Sequence, residues 1–354
     1  MGKVWQVSGG TADRDFSKSI LFKFGIATIG PGWFGDFNES EGKYEGKCGK
    51  REQSVLKRFC TEINENDIII LKEGNQSGGT IKAVGQIKAE KYEFIDIFQR
   101  VDGWSLGHCY HVKWKRPSEN VKIKRGILQE RFGEATNEEL IYKAKEIWEN
   151  GTLVESNAPI PKMAKKLESE EVIATLVQDG YIDDEKGKIL KEKIDGIIKM
   201  GTWYEEQWHI LEAEVKTFLI IPLLLALGWN PQQIKLELKQ RDSLKKKDLA
   251  VFIEDYDLEG SANKDPVFIV EAKRLEKGLV QAEEQVGEYA KKFKTLEYFV
   301  TSNGINYYLY KMMEDEPKLY AVLDILELTE RYKFDKEVGG AEMFFEALIN
   351  RNNM

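Results

Sequence analysis

The sequence predicts a multidomain protein of the α+β and α/β classes, and three observations lead to this prediction. The chain has 354 residues, which is enough for two or three domains. Its front part contains short runs of β-branched and aromatic residues separated by glycine turns, as in a small β-barrel. Its last part alternates helix and strand patterns, which is typical of an α/β domain. We therefore expect a small barrel over 1–120, a helical connector over 121–200 and an α/β domain over 201–354.

The front segment is predicted to form short strands and one helix. The strands are "VWQV", "GIATIG", "NDIIILK", "TIKAVGQIKA" and "YHVKWK". A helix is predicted over 51–63, because its apolar residues recur on one face. These residues are Val55, Leu56, Phe59 and Ile63. Trp5 and Trp114 lie within predicted strands, so we expect them in the core.

The remaining elements follow from local patterns. In the connector, a helix is predicted over "TNEELIYKAKEIWEN", with Thr136 or Asn137 as its cap. Two more helices are predicted over "SEEVIATLVQDG" and "EKGKILKEKIDGIIKM". A further helix is predicted to end near Gly228, and another covers "GLVQAEEQVGEYAKKF". The strands "KDLAVFIED" and "PVFIVEAK" precede that last helix. A strand, a turn at Asn303-Gly304 and a second strand follow it.

Composition limits the classes of protein that this chain can be. The net charge of −8 argues against a uniformly basic nucleic-acid binder, although residues 1–116 hold 18 basic and 15 acidic side chains. The longest apolar run, "FLIIPLLLALGW", is too short to cross a bilayer and contains Pro222. No secretory signal is visible, and three cysteines suggest no disulfide framework. We therefore expect a cytoplasmic protein without a membrane partner.

The stretch "DPVFIVEAKRLEKG", residues 265–278, places two opposite charges after a strand that should be buried on both faces. Glu271 and Lys273 are two residues apart, so they should point to the same face of the sheet. Asp248 begins the preceding predicted strand and can meet Glu271 at neighbouring strand ends. Carboxylate oxygens in this arrangement suit Mg²⁺, which can activate water near a phosphate, while the lysine holds the water or the developing charge.

Two further sets of charges lie near this constellation in the sequence. Glu214, on the preceding predicted helix, could approach the same metal, and Glu212 is a competing candidate. A basic run beside Asp248 is predicted to contact DNA phosphates, although a solvated loop is the alternative. This run is Lys245, Lys246 and Lys247.

An ordered series of motifs resembles the N-terminal nuclease domain of type I restriction-enzyme R subunits, which belong to the PD-(D/E)XK nuclease superfamily. The series is Glu214, "PLLLALGW", Asp248, "VEAK", "QVGEY" and "TSNG", and the resemblance covers roughly 205–312. It implies that Asp248, Glu271 and Lys273 form the nuclease core and that Glu214 is a helix-borne acid ligand of the metal. It also implies that Gln285 and Tyr289 form a QxxxY element near the DNA backbone. No G-x-x-x-x-G-K-[ST] motif occurs, so no ATP or GTP motor is expected.

The front segment carries aromatic residues in predicted glycine-rich loops. Trp33, Phe34 and Trp104 could stack on a flipped base, and filling the barrel core is the alternative. The order "VWQVSGG", "GIATIGPGWFGD", "NDIIIL", "KAVGQI" and "HVKWKR" resembles PUA-like domains of the EVE/YTH type over roughly 1–125. This resemblance implies a base pocket near Trp33, Asp36 and Trp104. The sequence leaves open which modified cytosine or adenine would be read.

A zinc site is an alternative use of the front segment's thiols and imidazoles. The candidate ligands are Cys48, Cys60, His108, Cys109 and His111. Their spacings match no zinc-ligand pattern, so we expect no zinc. The two histidines are instead strand or loop residues that could lie near DNA phosphates.

Together these features predict a Mg²⁺-dependent DNA endonuclease similar to modification-dependent, type IV-like restriction enzymes. Its front domain would read a modified base in double-stranded DNA, and its last domain would cut the DNA, with a homodimer expected on the substrate. One alternative is a repair nuclease that acts on unmodified DNA. Another is a binding module that retains a nuclease fold without catalysis.

Overall fold

The computed structural model describes most of the chain and divides it into two compact units. The described residues are 2–11, 14–32, 34–75, 78–101, 104–119, 121–156, 158–205, 210–239, 246–256, 265–275, 279, 296–313 and 316–350. The first unit is Met1–Pro161 and the second is Lys162–Met354. Each unit contains helices and a sheet, so the predicted mixed multidomain architecture is confirmed at this level.

Within its described residues, the first unit is built on a curled sheet of nine strands with a separate two-stranded ribbon. The strands of the unit are β1 (Val4–Ser8), β2 (Gly10–Thr11), β3 (Arg14–Asp15), β4 (Ile26–Ile29), β5 (Ile68–Asn75), β6 (Gly78–Ile87), β7 (Glu93–Phe94), β8 (His108–Arg116), β9 (Val121–Ile123), β10 (Phe132–Glu134) and β11 (Thr152–Leu153). The sheet order is β10-β1-β5-β6-β8-β11, while β4 and β7 also pair with β8, and β9 pairs with β6. The ribbon is β2–β3.

Strand β8 explains why this sheet curls. Its first half, His108–His111, pairs with β4, and its second half pairs with β6 from Val112 to Lys115. A strand shared in this way bends the sheet around itself, as barrel-like folds require.

The core of the first unit contains the two tryptophans predicted to lie there. Trp5 and Trp114 are fully buried. Each indole N–H has a partner, since Trp5 donates to Asp67 Oδ2 at 2.8 Å and Trp114 donates to the Ile26 carbonyl at 3.1 Å. A buried indole is thus accommodated without an unsatisfied donor.

Three α-helices accompany this sheet within the described residues, together with a π-helix at Ser17–Phe22 and a 3-10 helix at Asp96–Phe98. The α-helices are α1 (Phe37–Lys47), α2 (Lys50–Thr61) and α3 (Glu138–Asn150). The predicted helix over 51–63 is confirmed as α2, which buries Val55, Leu56 and Phe59. The Asn137 side chain accepts the Leu140 N–H and caps α3, which settles the choice between the two predicted caps.

The predicted connector over 121–200 is divided between the two units. Its first helix, α3, buries Leu140, Ala144 and Ile147 in a hydrophobic cluster with strands of the first unit. Strand β10 pairs with β1 as well, so these elements complete the first unit. The later helices α4 (Ser169–Gln178) and α5 (Asp184–Glu205) pack in the core of the second unit.

The second unit contains a six-stranded sheet within its described residues. Its strands are β12 (Ile234–Lys239), β13 (Lys246–Val251), β14 (Phe268–Ala272), β15 (Tyr298–Ser302), β16 (Asn306–Met313) and β17 (Glu316–Asp324), and they follow one another in the sheet. The β14–β15 pair is parallel, and the other neighbouring pairs are antiparallel. All five residues of β14 are buried, as its apolar run predicted.

The turn between β15 and β16 lies where the sequence predicted it. Asn303 Oδ1 accepts the backbone N–H groups of Ile305 and Asn306, at 3.2 and 2.8 Å. Gly304 has a φ of +88°, which favours glycine. The turn is therefore stabilised by the Asn303 side chain and by the positive φ that Gly304 can adopt.

The other helices of the second unit form a layer against its core. They are α6 (Glu212–Val215), α7 (Ile221–Ala226) and α8 (Ala341–Leu348), and a π-helical turn at Lys216–Ile220 joins α6 to α7. The helical run ends before Gly228, whose φ is +87°, as predicted. Among the described residues, we find no helix with the length and apolar character needed to traverse a bilayer. The helix predicted over "GLVQAEEQVGEYAKKF" lies, except for Leu279, outside the described residues.

Candidate functional site

Asp248 lies on β13, and its side chain bonds to the neighbouring strand β14. Its Oδ2 atom accepts the backbone N–H of Ala272 at 2.9 Å, just beyond the registered pair of Leu249 with Val270. The carboxylate is therefore held at the end of the β13–β14 pairing. The structure brings Asp248 to the end of β14, where the sequence predicted that it would meet Glu271.

A lysine that the sequence analysis did not assign to the site bonds to the other oxygen of Asp248. Lys216 Nζ donates to Asp248 Oδ1 at 2.9 Å, and these side chains are only 18% and 19% exposed. Burial acts to lower the pKa of Lys216, but the hydrogen bond and charge of Asp248 outweigh it and the pKa is raised. A protonated lysine therefore neutralises the acid within the protein.

Glu271 and Lys273 form a second acid–lysine pair at the same end of β14. Lys273 Nζ donates to Glu271 Oε1 at 2.7 Å, and the Glu271 side chain is 10% exposed. The Lys273 backbone N–H donates to the Ser302 carbonyl at 2.8 Å, which extends the parallel pairing with β15. The prediction that these two side chains share one face is confirmed. Burying the Glu271 carboxylate carries a desolvation cost, which its contact with the Lys273 ammonium offsets.

Glu212 and Glu214 lie on α6 but make different contacts. Glu214 Oε2 accepts the Leu211 backbone N–H at 2.8 Å, as an N-terminal cap does. Glu212 Oε1 lies 3.4 Å from Lys216 Nζ, the same ammonium that bonds to Asp248. The structure therefore links Glu212 to Asp248, whereas Glu214, the acid preferred from the sequence, stabilises the start of its helix.

The side chains present fit a magnesium ion better than a metal that needs many protein ligands. Among the described residues, no group of three or more His, Cys, Asp or Glu side chains is placed to hold a metal. Mg²⁺ often binds through one or two carboxylates and completes its shell with water and phosphate oxygens. Asp248 and Glu271 supply such hard oxygen donors, and the ammonium on Asp248 shows that a cation can reach Oδ1.

Several residues assigned to the nuclease site from the sequence lie outside the described residues. Gln285, Tyr289 and Lys245 are in this group. The backbones of Lys246 and Lys247 belong to β13, but their side chains are also outside the description. Their proposed roles at the DNA backbone stay predictions.

Trp104 lines a small recess in the first unit, together with residues of β1, β4 and the loops beside them. The recess is lined by Val7, Ser8, Gly9, Gly10, Phe16, Leu21, Thr28, Ile29, Trp104, Leu106 and Arg131. The Arg131 guanidinium lies 5.7 Å from the centre of the Trp104 ring, and the Phe16 ring is 6.3 Å away. Trp104 is half-buried, so one part of the indole packs inward while another part stays accessible.

Asp36, the second predicted base-pocket residue, has a structural role at the start of α1. Its Oδ1 atom accepts the Asn38 backbone N–H at 2.8 Å and the Tyr92 hydroxyl at 2.6 Å. Two donors on one oxygen fix this side chain as the helix cap. Trp33, the third predicted residue, lies outside the described residues.

Two buried polar side chains that the sequence analysis did not assign to the pocket lie close to the predicted reader loops. Ser105 Oγ and both ring nitrogens of His108 have no hydrogen-bond partner among the described residues. A Cβ placed on Gly32 would lie 2.7 Å from Ser105 Oγ, so the backbone at Gly32 and the Ser105 side chain are in close contact. No spacing pattern in the sequence indicates this contact.

His108 is fully buried among aromatic rings of the first unit. Tyr44, Tyr92 and Phe94 have ring centres 6.0, 5.7 and 5.0 Å from the imidazole. Burial lowers the pKa of His108 to about 4, although the charge of Asp36 and the Ile29 backbone act in the opposite direction. The Ile29 contact falls short of hydrogen-bond geometry. His108 is therefore neutral at physiological pH.

The structure does not assemble the five residues considered for a zinc site into a ligand cluster. All five belong to the described part of the chain, where no three or more such side chains are grouped closely enough to hold a metal. The three thiols are buried, and burial raises the pKa of Cys48 to about 11 and that of Cys109 to about 12. Without a metal, buried thiols with raised pKa values stay protonated at neutral pH.

Comparisons with known proteins find one family match and supply no activity. A family model described as a domain of unknown function, DUF8426, matches residues 5–140, which lie entirely within the first unit. Neither the curated proteins nor the solved structures include a match to this chain.

Proposed function

We propose that this protein is a Mg²⁺-dependent DNA endonuclease whose second unit hydrolyses the phosphodiester bond. The observation that carries the proposal is the pair of acid–lysine contacts at the ends of β13 and β14. Asp248 bonds to Lys216 and to the β14 backbone, while Glu271 bonds to Lys273. Charged side chains rarely converge at buried strand ends without a function, and this arrangement agrees with the PD-(D/E)XK resemblance.

In this proposal, each residue has a separate role at the scissile phosphate. Asp248 and Glu271 hold the divalent ion through their carboxylate oxygens. A bound Mg²⁺ would polarise the phosphate and lower the pKa of a coordinated water. Lys273, held beside Glu271 at 2.7 Å, orients the attacking water and stabilises the negative charge that develops on the phosphate.

We further propose that the first unit recognises a modified base in double-stranded DNA. The support is the recess lined by Trp104 and Arg131, where the half-buried indole has the guanidinium 5.7 Å from its ring centre. Aromatic and guanidinium planes stack on bases, and a base must leave the duplex to reach such a recess. The enzyme would then restrict foreign DNA that carries the modification.

The proposed enzyme acts as a homodimer on DNA. One centre formed by Asp248, Glu271 and Lys273 hydrolyses one strand, so a double-strand break needs two centres. A two-fold symmetric pair is the usual way to supply them.

A digestion panel tests the proposed function. Unmodified, methylated and hydroxymethylated duplexes are each incubated with the full chain in Mg²⁺ or in EDTA. Cleavage of a modified duplex in Mg²⁺, with an intact unmodified duplex, is the expected result. Equal cleavage of unmodified DNA would favour a repair nuclease, and binding without cleavage under any condition would favour a non-catalytic module.

A further inference from the structure

Each carboxylate oxygen of Asp248 already has a donor. Oδ2 accepts the Ala272 backbone N–H, and Oδ1 accepts the Lys216 ammonium, both at 2.9 Å. The first donor is fixed in β14, so it cannot leave without disturbing the sheet. The second donor sits on a flexible four-carbon side chain. Oδ1 is therefore the oxygen that can exchange its partner.

Lys216 has a second acid within reach if it leaves Asp248. Glu212 Oε1 is 3.4 Å from Lys216 Nζ, and the two residues are one helical turn apart. Glu212 is 39% exposed on its side chain, compared with 19% for Asp248, so its side of the ammonium is closer to solvent. The ammonium can thus move outward while it keeps a counter-charge.

We infer that Lys216 is an internal counter-ion that competes with divalent cations for Asp248 Oδ1. An ammonium and a divalent ion on one oxygen would repel each other strongly at this degree of burial. Lys216 on Asp248 therefore weakens metal binding at this carboxylate, and its movement to Glu212 would relieve the repulsion. This inference rests on the proposed metal role of Asp248 and adds a residue that weakens metal binding.

Manganese binding to the full chain without DNA tests this inference. The loss of the free Mn²⁺ signal in electron paramagnetic resonance gives the dissociation constant directly. Lys216→Met keeps the length of the side chain and removes the charge, so Mn²⁺ should bind about tenfold more tightly, or about 1.4 kcal/mol. If the methionine variant does not fold, Lys216→Gln takes its place and should also bind Mn²⁺ more tightly than the parent. Circular dichroism checks folding of every variant.

A matched control is available on α5. Lys191 bonds to Asp195 Oδ2 at 2.8 Å, so Lys191→Met also breaks a lysine–aspartate pair but leaves Asp248 unchanged. It should bind Mn²⁺ as the parent does, whereas Asp248→Asn should bind it much more weakly. If Asp248→Asn weakens binding but neither Lys216 variant tightens it, the inference is overturned and the metal site stands. If Asp248→Asn binds like the parent, or no protein binds Mn²⁺, the metal site and the inference both fall.

Discussion

The Asp248 carboxylate accepts the Ala272 backbone N–H at 2.9 Å, so a candidate catalytic acid is fixed by the neighbouring strand. A backbone donor has no rotamer freedom, and its position is set by the pairing of β13 with β14. The same pairing carries Glu271 and Lys273 to the same end of the sheet. The sheet itself thus preorganises the candidate site, as the proposed cleavage would require.

The different contacts of Glu212 and Glu214 predict different phenotypes. Glu214→Ala removes a cap from α6 and should lower the free energy of unfolding by about 1 kcal/mol, with cleavage largely retained. Glu212→Ala removes the second partner of Lys216 and should slow cleavage, with little change in stability. Urea denaturation and single-turnover cleavage separate the two effects. The opposite pattern would restore Glu214 as the helix-borne acid ligand.

Trp104→Ala should weaken the preference for modified DNA. Loss of a stacking aromatic costs about 1–3 kcal/mol, or roughly ten- to a hundredfold in affinity. The control is Trp148→Ala, because Trp148 is also half-buried and has the Lys115 ammonium 5.0 Å from its ring centre. Fluorescence anisotropy with modified and unmodified duplexes gives the affinity ratio, and melting curves report stability.

The outcome for Trp104 depends on both readouts. A lower affinity ratio at an unchanged melting temperature identifies a base-contacting residue. An unchanged ratio, or unfolding of the variant, would assign Trp104 to the core. Trp33→Ala should abolish the preference in the same experiment, as its predicted loop position implies.

The domain division predicts which fragment of the chain folds alone. A fragment of residues 1–161 should fold and bind modified DNA without cutting it, because Asp248, Glu271 and Lys273 lie in the second unit. A fragment of residues 1–120 lacks Phe132, which stacks on Trp5 at 5.1 Å, and the buried face of α3. Losing several such side chains removes about 5 kcal/mol or more, which is comparable to the whole free energy of unfolding of a small domain. Cooperative melting of the shorter fragment would contradict this division.

Buried His108 predicts that the first unit loses stability in mild acid. The pKa of about 4 is below the unfolded value of about 6.5, so below pH 6.5 protons bind the unfolded chain preferentially. Neutral His108 therefore contributes to the free energy of unfolding above pH 6.5. This contribution is lost as the pH falls towards 4, by up to about 3 kcal/mol. Urea denaturation between pH 7.5 and 4 measures this loss.

Substitution separates the effect of His108 from that of carboxylates that also titrate in acid. His108→Phe should flatten the decline between pH 6.5 and 4, since no proton can bind at that position. His111→Gln is the control, because the His111 side chain is 46% exposed. If the His108→Phe protein and its parent lose stability in parallel, His108 does not carry the effect.

The sequence predicted those features that depend on local pattern. The apolar run of β14, the amphipathic face of α2 and the Asn303-Gly304 turn all follow from residue periodicity or turn chemistry. The alternation of Glu271 and Lys273 on one strand predicted their contact correctly. Strands β12 and β17 and helix α8 were not anticipated.

The remaining features depend on tertiary contacts that no spacing records. The amphipathic pattern of α3 shows that one face is buried, but not which sheet covers it, so the helix was assigned to a connector. The sequence favours Glu214 over Glu212, and only the folded structure shows that Glu214 caps its helix while Glu212 contacts Lys216. Lys216 enters the site only because a π-helical turn and β13 bring it to Asp248.

The most direct test of the nuclease proposal is the single-turnover cleavage rate of the parent and three variants in Mg²⁺ on a modified duplex. The variants are Asp248→Asn, Glu271→Gln and Lys273→Met, with Lys191→Met as the control for a lost ion pair outside the site. Each site variant should cut at least a hundredfold more slowly, as expected when charge stabilisation at the reacting phosphate is lost, while DNA binding and the far-ultraviolet circular dichroism spectrum are retained. A folded site variant that cuts at the parental rate would contradict the account.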